Sequence, residues 1–397
     1  MLLTIAATSC VYDFDPQVKG DGGILVVDGD ILAGEETAIS LTQTMALDTL
    51  ISRHNPLPGT WEVSLELEDG TSMYAVKSEN VFHIDTRQLS AGMKCRLHIS
   101  NYILKWNYDM PMGAIQTVER RYETPWLTVQ ATSKIDSVSS VISEDLMTID
   151  FCVTTSGQGS TRYYRWSGQE DWEYTADLHA YVYYYPKDRN MREYENGENS
   201  FYCWDKADVP EIMLGDAGDL SDPRFKNHAI YTYDNHNVKL SYMYSVLLIQ
   251  ENLSEEAYRY WSAMKRNSTD VGGLFASQPS ELHGNVYNVD DPSETVIGYV
   301  NASEVSSFRY FFDSSRHMFY HRAERFSEEP KVVHRSDWFY YYNNLNYRPF
   351  GKHEEEQPNG ERTSDDNIYD WYPRRCIDCT MKGGTKAKPS FWPNDHK

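Results

Sequence analysis

The sequence predicts a mainly β architecture: an N-terminal immunoglobulin- or fibronectin-III-like sandwich, then a larger β-rich domain with one short helix. Three observations carry this. Short alternating apolar runs recur through the first half of the chain and are separated by turn residues. Tyrosine is abundant, with 30 residues against 14 phenylalanines, and tyrosine fits a pleated surface with its ring packed and its hydroxyl wet. Only one segment has convincing helix signals at both ends. The chain has 397 residues, of which 40% are hydrophobic and 24% charged, enough to bury more than one core.

The elements follow in order. Residues 23–32 (GILVVDGDIL) contain an apolar run of strand length, and 36–45 (ETAISLTQTM) alternate. In 61–76 (WEVSLELEDGTSMYAV), Val63, Leu65 and Leu67 alternate up to Asp69-Gly70, a hairpin signal, and a return strand follows. Residues 81–86 and 93–105 continue the series, which predicts a sandwich over 20–120. Pro125 and its polar surroundings mark a junction. Strands resume at 146–155, 162–168 and 179–186, while 187–200 reads as a polar loop. The apolar strand 239–250 leads into a helix over 254–266. Ser254 is its N-cap, Glu255 and Glu256 suit its positive end, and Ala257, Tyr260, Trp261 and Met264 form one stripe. Strands are expected at 284–289, 296–305 and 308–312. The acidic stretch 351–367 reads as a flexible loop. The second domain is therefore expected to span 130–397.

The N-terminus, MLLTIAATSC, sets small residues before Cys10 in the manner of a lipobox. Residues 1–19 are read as a shortened signal and tether, with Cys10 the acylated residue and the acyl chains the membrane attachment. Asp13 and Asp15 follow where surface-export signals of lipoproteins are acidic. An exported chain meets oxidising conditions, so disulfides are allowed. Cys376 and Cys379 form a CxxC pair. The expected staple is Cys376–Cys379, or a bond from one of them to Cys203.

The chemistry expected is recognition without catalysis. The motifs GxSxG, GxxxxGK[ST], HExxH and GxGxxG are absent from the sequence. His317 and His321, with Glu324, would meet on one face of a helix, but on a strand the two histidines, though on one face, would sit roughly 13 Å apart, too far for one ion, and no metal site or cofactor is expected. The net charge of −22, from 59 acidic and 37 basic residues, opposes phosphate backbones and so nucleic acid. Aromatic stretches offer a binding face: Tyr181, Tyr183 and Tyr185 in one, Trp338, Tyr340 and Tyr342 in the other. Such rings stack on sugars or pack against peptide at low entropic cost.

Several pieces in order resemble the Bacteroidota family DUF4249, a domain of unknown function. They are Cys10 with LVVDGDI (25–31), Tyr163-Tyr164-Arg165-Trp166, and Ala257-Tyr258-Arg259-Tyr260-Trp261. Next come Phe275…Pro279…Gly284-Asn285 and Ile297-Gly298-Tyr299-Val300. The last is Cys376-Ile377-Asp378-Cys379…Gly383-Gly384…Pro389-Ser390-Phe391-Trp392. The resemblance implies an outer-membrane lipoprotein, exposed at the cell surface, partnering a TonB-dependent transporter in nutrient uptake. It supplies no site residues. A structural or adhesive surface module is the alternative.

Overall fold

The computed structural model describes residues 23–44, 57–107, 114–157, 162–195, 199–218, 224–269, 284–321, 326–358 and 360–393. The leader 1–19 with Cys10, Asp13 and Asp15, and also Phe275, Pro279 and Glu324, lie outside them. The described chain is mainly β, in antiparallel sheets with short helices. None of its helices is long and apolar enough to cross a membrane.

The chain divides into two compact units, 1–129 with 266–303, and 130–265 with 304–397. This corrects the expected continuous second domain over 130–397. Residues 284–303 supply Val286, Val296, Val300 and Ala302 to the first core.

In the first unit, one sheet runs in the order Val296–Ile297, Leu25–Asp28, Glu36–Gln43, Val81–Asp85, Val76–Ser78. The other runs Tyr287–Asn288, Ala114–Glu123, Lys94–Asn107, Thr60–Leu67, Ser72–Tyr74. Alternate residues of both sheets meet in one core, including Leu25, Val27, Ile39, Leu41, Val63, Leu65, Leu97 and Ile99. That is the sandwich pattern of inward apolar and outward polar side chains. The Asp69-Gly70 turn forms as read, with Gly70 at φ 85° and its N–H donating to Leu67 O at 2.9 Å. The returning segment pairs Val296–Ile297 in parallel with Leu25–Val26. Two glycines let backbones touch here. A Cβ on Gly298 (φ 128°) would lie 1.9 Å from Val27 O, and one on Gly284 would lie 1.7 Å from Gly298 O. Asn285 then imitates a strand, donating to Val300 O and accepting from Val300 N, both at 2.8 Å.

The second unit has an aromatic core. Its main sheet joins Tyr202–Asp208, Tyr163–Thr175, Met243–Leu253 and, from Glu304, Ala302–Asp313. A second sheet joins Ile135–Ile142, Thr148–Thr155 and His228–Asp234. Phe151 stacks on Tyr231 at 4.7 Å and touches Tyr244 at 5.0 Å. The helix runs Glu255–Thr269, three residues beyond the expected end, and Ser254 Oγ accepts from Ala257 N at 3.1 Å. Ala257 and Tyr260 are buried as the stripe required. Trp261 lies under the Arg165 guanidinium at 4.3 Å.

The long strand Tyr163–Thr175 is buried along most of its length, so its polar side chains must be answered inside. Trp166 Nε1 donates to Gln250 Oε1 at 2.7 Å. Glu170 Oε1 accepts from the hydroxyls of Tyr233 (2.6 Å) and Tyr244 (2.7 Å), while Lys239 Nζ pairs with Oε2. Glu173 accepts from Trp392 Nε1 at 3.2 Å. Tyr174 Oη donates to Cys379 O and accepts from Gly384 N.

A smaller sheet, Lys331–His334, Arg362–Pro373 and Tyr347–Glu356, completes this unit. Its last two strands correct the flexible loop expected over 351–367. The acidic residues there sit in a hairpin held by the backbone ladder and by the cross-strand pairs Lys352–Asp366 (2.5 Å) and Arg362–Glu354 (3.3 Å). Low apolar content misled because both faces near the tip are wet. Residues 187–200 are corrected likewise, since Asn190–Glu193 pairs with Val182–Tyr185.

Cys203 and Cys379 are joined, with Cα atoms 5.8 Å apart across a sequence separation of 176. In the chain-entropy picture, closing so long a loop contributes about 5 kcal/mol. Cys376 remains a buried thiol, which corrects the alternative Cys376–Cys379 staple. The turn Arg374–Ile377 points Cys376 into a different apolar cluster, beside Ala180 and Ile377.

Burial pushes the Glu173 carboxyl up to about 7 from an ordinary 4.5. A raised carboxyl contributes stability that is complete below the unfolded value and is lost as pH rises through the folded one. Urea unfolding at several pH values is expected to show wild-type stability falling by about 1.4 kcal/mol per pH unit between pH 5 and 7 through this group. Glu173→Gln should remove that component. Equal pH slopes in the two proteins would contradict the assignment.

Candidate functional site

The aromatic stretches meet on the smaller sheet. In His-Ala-Tyr-Val-Tyr-Tyr-Tyr (179–185), strand alternation sends Val182 and Tyr184 inward, where they pack with Val333, Trp338, Tyr369 and Trp371. Tyr181, Tyr183 and Tyr185 go to the other face. Tyr181 N donates to Phe350 O, and Tyr194 N donates to Tyr181 O, which ties the hairpin to the edge of the strand Tyr347–Glu356. Register shifts in that strand between Pro349 and Gly351, and between Lys352 and Glu354, bend it and re-aim its side chains.

Between hairpin and strand lies a cleft of about 710 Å³, lined by Tyr181, Val182, Glu193, Tyr194, Pro330, Phe350, Gly351, Lys352, His353, Glu354 and Asp370. The Tyr181 and Phe350 rings meet edge-to-face at 5.7 Å. Tyr181 is 60% exposed, a large ring presented to solvent rather than packed. Behind them, Ala180, Cys376 and Ile377 form a small apolar base with Tyr194, Phe350 and Tyr372. Burial pushes the Tyr194 hydroxyl up to about 12. It is therefore a neutral donor at any physiological pH.

The polar wall is paired. His353 Nδ1 lies 2.7 Å from Asp370 Oδ1, and Lys352 bonds Asp366, which holds its ammonium above the ordinary range. Among the described residues that line the cleft there is no serine, threonine or cysteine beside the His353–Asp370 pair. The arrangement offers ring faces and directional hydrogen-bonding groups.

The predicted binding residues are divided by the fold. Tyr181 lines the cleft. Tyr183 and Tyr342 line a neighbouring cavity. Tyr185 is half-buried under the Arg192 guanidinium at 4.2 Å, and Tyr340 is exposed on the short helix Trp338–Asn343. Trp338 is a correction. It is 1% exposed, its Nε1 donates to Val333 O at 3.3 Å, and it belongs to the core under the sheet. The helical turn, unrecognised in the Trp-Phe-Tyr-Tyr-Tyr run, is what rotates it inward. Sequence reasoning missed Phe350, Tyr194, His353 and Asp370. His353 comes from a segment read as loop, Tyr194 follows the strand Asn190–Glu193, which was also read as loop, and only the observed pairing brings all four together. His317 stacks on Phe312 at 5.2 Å, and His321 Nδ1 lies 2.9 Å from Phe319 O. The helical turn Ser314–His317 stops before reaching His321. Among the described residues no group of three or more His, Cys, Asp or Glu side chains could hold a metal ion.

The fold is that of a β-rich protein with a sandwich unit and, in its second unit, an aromatic-lined cleft. The sequence profile of the family described as a domain of unknown function (DUF4249) matches residues 11–309, and the chain belongs to that family. No curated protein matches it. Among solved structures it is similar to a two-domain fibronectin type-III segment of chicken tenascin, at 10% identity, over 74% of this chain and 99% of that one. The TM-score of 0.15 is too low for that likeness to carry an argument. The family match stops at residue 309, so Phe350, His353 and Asp370 lie beyond it.

The division between core and surface aromatics has a measurable consequence. Trp338→Ala is expected to cost about 3–5 kcal/mol in urea unfolding, as for other buried large-to-small changes. Tyr340→Ala should stay within about 0.5 kcal/mol of wild type. Comparable losses in both would place Trp338 on the surface after all.

Proposed function

We propose that this protein is a non-catalytic ligand-capture module, held on the outer membrane by acyl chains on Cys10 and acting as an accessory subunit of a TonB-dependent transporter. The observation that carries the capture reading is the 710 Å³ aromatic cleft. Its volume falls within the ~300–1,000 Å³ of small-ligand sites, and its mix of ring faces with a few fixed polar groups is typical of them. A glycan or a short peptide fits such walls. The transporter and membrane parts of the reading are supported by the lipobox-like N-terminus and by the resemblance of the motifs to lipoproteins encoded beside such transporters.

A second reading, an adhesive or spacer module, is favoured by one feature. Phe339, Tyr340 and Leu345 are 46%, 54% and 42% exposed at one end of the small sheet, and apolar side chains grouped there suit a protein contact.

Two measurements separate these readings. Affinity purification of the tagged full-length protein from native outer membrane, followed by mass spectrometry, is expected to recover one TonB-dependent transporter in stoichiometric amount. Recovery of the protein alone would favour the spacer. In glycan- and peptide-array binding, Tyr181→Ala is expected to weaken any captured ligand about tenfold, the worth of one aromatic contact of roughly 1.4 kcal/mol, with an unchanged melting temperature. Undiminished binding would remove the cleft from the account.

A further inference from the structure

Tyr194 lines the cleft and also a smaller cavity of about 330 Å³, whose other walls are Tyr183, Tyr184, Tyr342, Arg348 and Pro349. In a chain of net charge −22, the described residues that line this cavity include no acidic side chain, and Arg348 is the cation among them. Nη1 of Arg348 donates to the backbone oxygens of Tyr342 (3.0 Å) and Tyr347 (2.7 Å), and the guanidinium lies 3.9 Å from the centre of the Tyr342 ring. These contacts fix the plane of the fork and occupy one of its nitrogens. Nη2 and Nε make no hydrogen bond among the described residues, and no carboxylate there lies within ion-pairing distance.

Three other arginines of this unit are paired with carboxylates. Arg374 pairs with Asp378 at 2.7 Å, Arg192 with Asp188 at 2.5 Å, and Arg362 with Glu354 at 3.3 Å. Arg348 is half-buried, and burial lowers its guanidinium from the ordinary range; Tyr342 and the more distant Asp378 carboxylate act against that shift and Arg374 acts with it. A partly desolvated cation with a free fork is a site for an anion that completes it. Arginine, unlike lysine, reads a planar carboxylate through two parallel bonds. The surrounding tyrosine rings supply flat faces for the ring that bears it.

We propose that this cavity is the anion subsite of the ligand cleft and takes the carboxylate of an acidic sugar, a uronic acid, whose ring packs against Tyr183, Tyr194 and Tyr342. The proposal rests on the capture reading of the cleft and adds to it the class of ligand. Neighbouring sugar units of the same chain extend past Tyr194 toward Tyr181 and Phe350.

The test is calorimetric titration of the full-length protein with trigalacturonate and with its neutral methyl ester. The acid is expected to bind at least tenfold more tightly than the ester, and Arg348→Met to abolish that preference. Arg348→Lys should retain only part of it, because the charge remains but the fork is lost. Equal binding of acid and ester, both weakened by Tyr181→Ala, overturns the anion subsite while the cleft reading stands. Binding of neither overturns the uronate assignment, and the array and purification experiments then judge the cleft separately. Should the Arg348 variants lose their melting transition, the acid-to-ester ratio in the wild type decides alone.

Discussion

The second unit depends on a carboxylate taken out of water. Glu170 lies near the middle of the strand Tyr163–Thr175 and is buried. An isolated buried charge costs many kcal/mol unless it is paired and hydrogen-bonded. Here Tyr233, Tyr244 and Lys239 converge on it from the strand His228–Asp234, the strand Met243–Leu253 and the turn between them. Tyr231 joins through Tyr244 at 2.9 Å. The Tyr233 bond ties the second sheet to the strand that carries the carboxylate. Burial holds the Tyr231 and Tyr244 hydroxyls well above the ordinary range, so they remain donors. The abundance of tyrosine over phenylalanine then has a reason: this core needs rings that can also carry hydrogen bonds.

The same strand organises the chain's C-terminal part. Tyr174 holds Cys379 and Gly384, Trp204 forms a two-bond bridge with Thr385, and Glu173 accepts from Trp392. The Cys203–Cys379 bond locks this path covalently. Most pieces that carry the family resemblance act in this way. Gly284 and Gly298 permit backbone contact, Trp166 and Tyr164 fill the core, and Arg165 pairs with Glu251 above which Trp261 stacks. These residues specify architecture rather than chemistry, which explains why the family pattern by itself names no site.

The aromatic cleft is built where two hairpins meet over a small core. Trp338, Trp371 and Tyr184 hold that core, and this frees Tyr181, Phe350, Tyr183 and Tyr342 to line open space. Rigid support beneath exposed rings lowers the entropy lost on binding. The disulfide-anchored turn at Arg374–Ile377 contributes the apolar base of the cleft, so the covalent staple and the site are structurally linked.

Much of the first unit was legible in the sequence, because its sandwich obeys alternation. Val63, Leu65 and Leu67 had to share a face and Asp69-Gly70 had to turn; in the second unit, Ser254 had to cap a helix. Periodicity describes each segment against a generic apolar environment and cannot name the partner segment. So the return of 284–303 to the first core stayed hidden, since its apolar residues are sparse and its pairing is parallel and remote. The acidic hairpin 347–373 was hidden because backbone ladders and cross-strand ion pairs, not buried side chains, hold its tip. Trp338 was misplaced because a single helical turn in an aromatic run leaves no periodic signature. By itself the sequence determined which residues could pack and which could turn. Tertiary structure alone decided which aromatics line open space and which lie in the core, because that is a property of segments meeting across more than a hundred residues of chain.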